Sequence, residues 1–448
     1  MKCTCYTTTY ENRIKNVTTT EYPFVDDEGR ENQLINLYPE VTYQKIEGFG
    51  GAITDSAGYI YSLLNETQKK EMLHTYFGKE EMKYNLVRIP IDSCDFSLEH
   101  YEADGDEADG DFHHFSFDRV EKYILPLLKD AEKMFGAKLS IMLSPWSPPV
   151  YMKTNGERNN GGKLKPEYRK RWADYICRYI KEYQSRGFIV KRLTMQNEPK
   201  AVQTWDSCIY TAQEEKEFLK NYLWPALKEN NMEEIEIYLW DHNKERAFEW
   251  ACTIIDEETT DMIAGIAFHW YSGDHFEALR MIHDRFPDKK LLLSEACIEY
   301  SKYAADDYLS NAQKYAHDII GNLNEGMNTF IDWNLVLNEE GGPNHVGNFC
   351  DAPYMLDRQT KLLRQSNIQN YLWHFTHFIT PDCTRIGHTR YTDQLEITAF
   401  RRGDEIVFVL LNRCREELPV AVRLNDRCIE FSAAPNSIST GVISDVIL

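Results

Sequence analysis

The chain has 448 residues, 42% of them hydrophobic and 13% aromatic, and carries a formal net charge of −21. That length accommodates one large barrel plus a smaller module, with a core that needs neither metal nor disulfide staples. The acidic balance argues against nucleic acid or an anionic membrane surface as partner and fits solubility; no apolar run approaches the length of a membrane span.

Residues 1–45 are strand-like and Thr-rich, without a helix, and too few to be stable alone. The opening Met1-Lys2-Cys3-Thr4-Cys5-Tyr6 lacks the apolar stretch of a signal peptide. Eleven cysteines is an odd count, and several of them, such as Cys177, Cys252 and Cys297, fall inside apparent core elements and are expected to be buried, reduced thiols in a cytoplasmic protein. Cys3-x-Cys5 has no second pair at metal-site spacing, and no zinc or other metal is assigned.

Strand-like apolar runs follow at 46–49, 84–91, 139–145, 190–197, 235–240, 263–270, 290–296 and 328–335, most of them separated by helical patterns such as 120–135 and 166–186. In the first of those helices Val120, Ile124, Leu127, Leu128 and Ala131 share one face. Gly48-Phe49-Gly50-Gly51 lacks dinucleotide-binding spacing and is expected to form a tight turn after the first strand. The acidic stretch 102–111 misses the spacing of a calcium loop and is expected to be a flexible, solvated loop, able to rim a site at that end of the barrel. Alternating strands and helices imply parallel pairing through right-handed crossovers, and eight units make a (β/α)8 barrel whose site lies at the C-terminal ends of its strands. From about residue 380 the pattern alternates apolar and polar, as in Leu395-Glu396-Ile397-Thr398-Ala399-Phe400, which is an antiparallel β signature. The expected organisation is 1–45 as N-terminal strands of a β-sandwich, 46–378 as the barrel, and 379–448 as the rest of the sandwich.

Two glutamates narrow the chemistry. Glu198 follows Leu193-Thr194-Met195-Gln196-Asn197, and Glu295 follows Leu291-Leu292-Leu293-Ser294, so each ends an apolar strand where a buried charge needs a partner or a task. Two such carboxylates suit acid/base and nucleophile roles on a glycosidic bond, with burial and mutual repulsion raising the acid's pKa. Asn197 can donate to a sugar hydroxyl. Arg88, a charge on the apolar run Leu86-Val87-Arg88-Ile89-Pro90, requires a carboxylate; Glu295 is one choice, a structural ion pair inside the barrel another. Trp146, His269-Trp270-Tyr271 and Trp333-Asn334 also fall at strand ends, as core or as site. The aromatic content fits either core packing or sugar stacking. A phosphate loop, a zinc helix and a Gly-x-Ser-x-Gly elbow are all missing from the sequence.

With these motifs in order, the chain resembles glycoside hydrolase family 30, in its glucosylceramidase (acid β-glucosidase) branch. The resemblance rests on Glu47-Gly48-Phe49-Gly50-Gly51-Ala52, Asn85-Leu86-Val87-Arg88-Ile89-Pro90, Ser93-Cys94-Asp95-Phe96-Ser97, Ser144-Pro145-Trp146-Ser147-Pro148-Pro149, Gln196-Asn197-Glu198-Pro199, His269-Trp270-Tyr271, Ser294-Glu295, Asp332-Trp333-Asn334 and Gly341-Gly342-Pro343-Asn344 with Asn348-Phe349. It implies a TIM barrel with a β-sandwich built from both termini, and a retaining β-glycosidase without a cofactor, acting on a β-glycoside, a terminal β-glucoside first. It further implies Glu198 as acid/base and Glu295 as nucleophile, their carboxyls about 5–5.5 Å apart. Asp95, Trp146, Asn197, Trp333 and Asn348 would line the sugar subsite, with Arg88, His269 and Tyr271 supporting the glutamates. His345 and loop 102–111 are expected where the aglycone sits. The rivals are a β-xylosidase or xylanase, an endo-β-glucanase, and a carbohydrate-binding protein without turnover.

Overall fold

The computed structural model describes residues 1–11 and 14–446. Four strands come first: β1 (Lys2–Glu11), β2 (Ile14–Pro23), β3 (Val25–Asp26) and β4 (Leu34–Lys45). The next eight, β5 (Gly48–Ala52), β6 (Leu86–Ile91), β7 (Ser140–Pro145), β8 (Ile189–Thr194), β9 (Glu236–Asn243), β10 (Gly265–His269), β11 (Lys290–Glu295) and β12 (Met327–Asn334), close in chain order into a parallel barrel, with β12 pairing back onto β5. Helices such as Leu125–Phe135, Arg169–Ser185 and Tyr308–Asn324 surround it. Three short strands, β13 (Val336–Asn338), β14 (Tyr354–Leu356) and β15 (Leu363–Gln365), form a small separate sheet.

Gly48–Gly51 is not a turn after the first strand; it is that strand. A Cβ on Gly50 would stand 2.1 Å from the Leu86 carbonyl oxygen, and one on Gly51 2.4 Å from Leu335 Cδ2. Only glycine lets β6 and Leu335 come this close, so the strand carries almost none of the apolar signal that marks the other seven.

The remaining strands are β16 (Thr384–Thr389), β17 (Leu395–Arg402), β18 (Glu405–Asn412), β19 (Leu418–Leu424), β20 (Arg427–Ala433) and β21 (Ser437–Ser444). With β1–β4 they make one ten-stranded sheet, ordered β2-β1-β21-β18-β17-β16-β4-β19-β20-β3. The sheet folds over a core that includes Ile397, Phe408, Val422 and Ile429, so its distant strands meet as a sandwich, with Tyr22 of β2 against Phe431 of β20 at 5.5 Å. The N-terminal segment is stable because its strands are interleaved with the C-terminal ones: β1 pairs with β21, and β4 lies between β16 and β19. Polar anchors fix the sandwich to the barrel helices. His374 bridges Thr8 and Thr440, and His317 meets Glu396 at 2.6 Å.

Two expectations need correction. All eleven cysteines are free, but Cys252 is exposed: its helix Ala247–Ile254 buries Ala247, Trp250, Ala251 and Ile254, and Cys252 falls off that stripe. Loop 102–111 is pinned rather than freely solvated, because barrel groups satisfy it. Ala103 N–H donates to Asp92 and to the Tyr175 hydroxyl, Arg158 donates to Glu102, and Arg171 donates to the Asp106 carbonyl.

Candidate active site

Inside a barrel, alternate residues of each strand point to the axis. One layer of such residues is apolar: Leu86, Met142, Tyr238, Ala267, Leu292 and Ile331. Two positions further along their strands come Arg88, Ser144, His269, Ser294 and Trp333, so the layer nearest the C-terminal face is mainly polar. Strand β9 breaks the alternation. Trp240 and Asp241 adopt φ of 74° and 53°, and the register with β10 skips a residue there. This bulge sends Trp240 outward against Trp250 and turns Asp241 inward.

Asp241 organises the floor of the site. It is fully buried; its Oδ2 accepts from Arg88 at 2.8 Å and from the Thr194 hydroxyl at 2.6 Å, while its Oδ1 accepts from Ser294 and meets His269 Nε2 at 3.1 Å. Arg88, also fully buried, donates in addition to Glu295 Oε2 at 2.7 Å, Asn197 Oδ1 at 2.8 Å and Ser144 at 3.1 Å. The two partners proposed for Arg88 from sequence are therefore both real: one guanidinium serves Glu295 and a structural aspartate at once. With Oδ1 taken by Arg88, the Asn197 amide keeps its Nδ2 donor for the pocket.

Glu198 sits just past β8 with φ of 48°, a left-handed conformation rare for glutamate, and its backbone N–H donates to the Asp241 carbonyl. His269 Nδ1 lies 3.2 Å and His242 Nδ1 3.4 Å from its Oε1. The Tyr271 hydroxyl donates to Glu295 Oε1 at 2.9 Å and touches Cys297 Sγ at 3.3 Å. Trp146 and Trp333 stack at 5.5 Å with planes 21° apart, and the Arg88 guanidinium packs on both. Asp95 accepts from Asn344 and Asn348. Glu198, Glu295, Asp95, Trp146, Asn197, Trp333, Asn348 and Tyr271 all line one pocket of about 120 Å³, joined by Gln203, Trp205, His242, Glu299 and Lys302. His269 and Arg88 lie beneath it. Trp270 belongs to the core and meets Tyr315 edge to face at 4.6 Å. His345 and loop 102–111 do not line this pocket: His345 donates its backbone N–H to the Asp95 carbonyl behind it, and the loop is held by Asp92, Tyr175 and Arg158, while Trp205 and Lys302 stand on the pocket wall.

The electrostatics depart from the expected order. Burial pushes the Glu198 carboxyl up, but the His242 and His269 contacts overcome it and hold it well below the ordinary carboxylate range. Burial raises Glu295, with Glu198 adding to the rise against the pull of His269 and Arg88. His269 resists charge through its burial, yet the surrounding Glu295, Asp241 and Glu198 lift it to about 9. His269, in hydrogen-bond contact with Glu198, is thus the member of this pair whose surroundings favour the protonated form. Burial, with Glu295 nearby, pushes Asp95 well above its ordinary value.

Two groups of side chains have metal-ligand spacing among the described residues: Glu198, His242 and His269 in the pocket, and His100, Asp206 and His345 behind it. In the first, Asp241 already holds the far nitrogen of His269, which suits proton storage. The sequence pointed to neither Asp241 nor His242, although Leu239-Trp240-Asp241-His242-Asn243 shows the same apolar-to-polar switch at a strand end as the other site segments.

Residues 46–379 match the glycosyl hydrolase family 30 TIM-barrel domain, and residues 382–441 the glycosyl hydrolase family 30 beta sandwich domain. The chain belongs to glycosyl hydrolase family 30. Among relatives of this family-30 chain, putative glucosylceramidase 3 of Caenorhabditis elegans is 33% identical over 91% of this chain and 81% of the relative. Lysosomal acid glucosylceramidase of Mus musculus is 32% identical over 87% and 79%. The crystal structure of SrfJ from Salmonella typhimurium superposes with a TM-score of 0.94 at 38% identity, covering 99% of this chain and 100% of SrfJ. An endo-β1,6-glucanase structure gives a TM-score of 0.87 at 25% identity over 99% of both chains. The family-30 protein is thus a glycoside hydrolase, and none of its described helices is long and apolar enough to cross a membrane.

Proposed function

We propose that this hydrolase removes single β-linked glucosyl units from the non-reducing end of its substrate, with retained configuration. In the first step Glu295 attacks the anomeric carbon and forms a glycosyl ester, while Glu198 protonates the departing oxygen. Glu198 then takes a proton from water, which displaces the sugar from Glu295. The observation that carries this reading is the His269 bridge. It stores a proton beside Glu198, and one of the charges that keeps it there is Glu295. As Glu295 loses its charge to the ester, His269 loses part of the field that stabilised its proton, and transfer through Glu198 to the leaving oxygen becomes easier. Arg88 and Tyr271 orient the nucleophile. Asp95 and Trp333 grip the far hydroxyls, with Trp146, Asn197 and Asn348 completing the wall.

The closeness of Asp95, Trp333 and Asn348 to the two glutamates in one pocket supports exo action on a single sugar unit. The relatives named glucosylceramidases favour a glucoside. The free thiols support a reducing, cytoplasmic setting. A second reading, endo-β-glucanase action, has its own support. The rim is polar, with Lys302 paired to Glu299 at 2.6 Å beside Gln203, which suits a carbohydrate aglycone, and endo-1,6-β-D-glucanase of Neurospora crassa is 26% identical over 57% of this chain.

Initial rates on aryl β-glucoside, β-xyloside, β-fucoside and β-galactoside test the proposal. A dominant β-glucoside rate is expected. A dominant xyloside rate would overturn the substrate, and turnover only on longer β-glucans would establish the endo reading. Proton NMR of the first-formed anomer checks retention.

A further inference from the structure

We propose that His100, Asp206 and His345 form a binding site for one divalent ion of the zinc type, separate from the two glutamates. The three residues come from three different loops, following β6, β8 and β13, and fall in no sequence motif. Their ligand atoms lie within 4.8 Å of one another. Asp206 Oδ2 is 3.1 Å from His100 Nδ1 and 3.8 Å from His345 Nε2, and the two rings stand 4.5 Å apart. Ligands around tetrahedral zinc, bonded at about 2.0–2.1 Å, are separated by roughly 3.3 Å, so small side-chain shifts suffice.

The second observation is the state of His345. Its Nδ1 faces the Ser97 carbonyl at 3.2 Å, an acceptor only, so Nδ1 carries the hydrogen and Nε2 presents a lone pair. That side chain is 9% exposed, and Nε2 has no hydrogen-bond partner among the described residues. The Asp206 carboxylate that it faces at 3.8 Å also only accepts. A buried lone pair facing a carboxylate is costly unless a cation lies between them. A backbone carbonyl fixing the far nitrogen is also how metal-binding histidines are held.

Asp206 is prepared in the same way. Ser93 and Arg158 saturate Oδ1 at 2.7 and 2.6 Å, leaving Oδ2 to the histidines. Arg158 is itself balanced by Glu102 at 3.2 Å and Asp92 at 3.8 Å. Two imidazoles and one carboxylate favour zinc over calcium or magnesium, which prefer all-oxygen shells. The ion would staple the loops that carry the pocket residues Asp95, Trp205 and Asn348; His345 already donates its backbone N–H to the Asp95 carbonyl.

The test is equilibrium dialysis of chelator-stripped full-length protein against Zn²⁺, with metal counted by mass spectrometry and thermal unfolding followed in parallel. One zinc per chain and a raised Tm are expected, with affinity falling at least about 10-fold in both His100→Gln and His345→Gln and unchanged in Glu198→Gln. His100 is partly exposed, so its variant keeps the test valid if His345→Gln does not fold. No stoichiometric binding, binding undiminished in His100→Gln, or binding lost in Glu198→Gln would each overturn the proposal.

Discussion

The proton on His269 has a stability consequence that can be measured without substrate. Its folded-state pKa of about 9 lies above the ordinary 6.5, so folding favours the charged form. The contribution is complete below pH 6.5 and is lost as the pH rises through 9. The gap corresponds to roughly 3 kcal/mol, carried by the Asp241, Glu198 and Glu295 carboxylates. Denaturant unfolding of the wild type and of His269→Gln at pH 6 and pH 9.5 isolates it, because cysteines and other groups titrating in that window are common to both proteins. The wild type should lose about 3 kcal/mol more than the variant between the two pH values. Over the same range its kcat/KM should fall on an alkaline limb near pH 9 that the variant lacks. Equal losses in the two proteins would refute the reasoning: the proton would then not reside on His269, and its role as a store for Glu198 would fall with it.

Replacing Glu295 with Gln should lower kcat by roughly 10⁴-fold or more while leaving the circular dichroism spectrum unchanged; activity near the wild-type level would show the nucleophile to be misassigned. Gly50→Ala forces a methyl onto the Leu86 carbonyl and should destabilise the barrel by at least about 1–3 kcal/mol, read as a lower Tm. His374, buried between the sandwich and the barrel, is pushed down to about 3 by its burial, with Lys15 and His377 adding to the fall. Its neutral form stabilises the fold above pH 6.5, and up to about 5 kcal/mol should disappear as the pH falls toward 3; acid titrations of His374→Gln should show a correspondingly shallower loss.

The sequence revealed those parts of the molecule whose signals are local. Seven barrel strands announce themselves as apolar runs, and Glu198, Glu295 and Arg88 stand out as charges at the end or inside of such runs. What stayed hidden depends on backbone geometry or on distant neighbours. A period of two places Trp240 inside the barrel and Asp241 outside; only the bulge in β9 exchanges them, and no residue type encodes that bulge. The first strand is nearly all glycine because its neighbours crowd it, so it resembles a turn. The low pKa of Glu198 could not be foreseen from its own segment, since its causes are histidines on β9 and β10.

The interleaving of the two chain ends in one sheet bears on how the protein is made. During synthesis, β1 leaves the ribosome long before its partner β21 exists. At about 5–20 residues per second, the delay is roughly 20–90 s. Throughout that interval the edge of β1 that will pair with β21 has no neighbour, and the barrel beside it can close only once β12 has been made. The outer strand β2 suits the wait, since its threonines and lysine are exposed and Ile14 and Val17 are its large exposed apolar side chains, whereas β1 carries Cys3, Cys5 and Tyr6, which the finished sandwich covers. The sandwich therefore acts as the final seam of the molecule, and its closure reports that translation has reached β21.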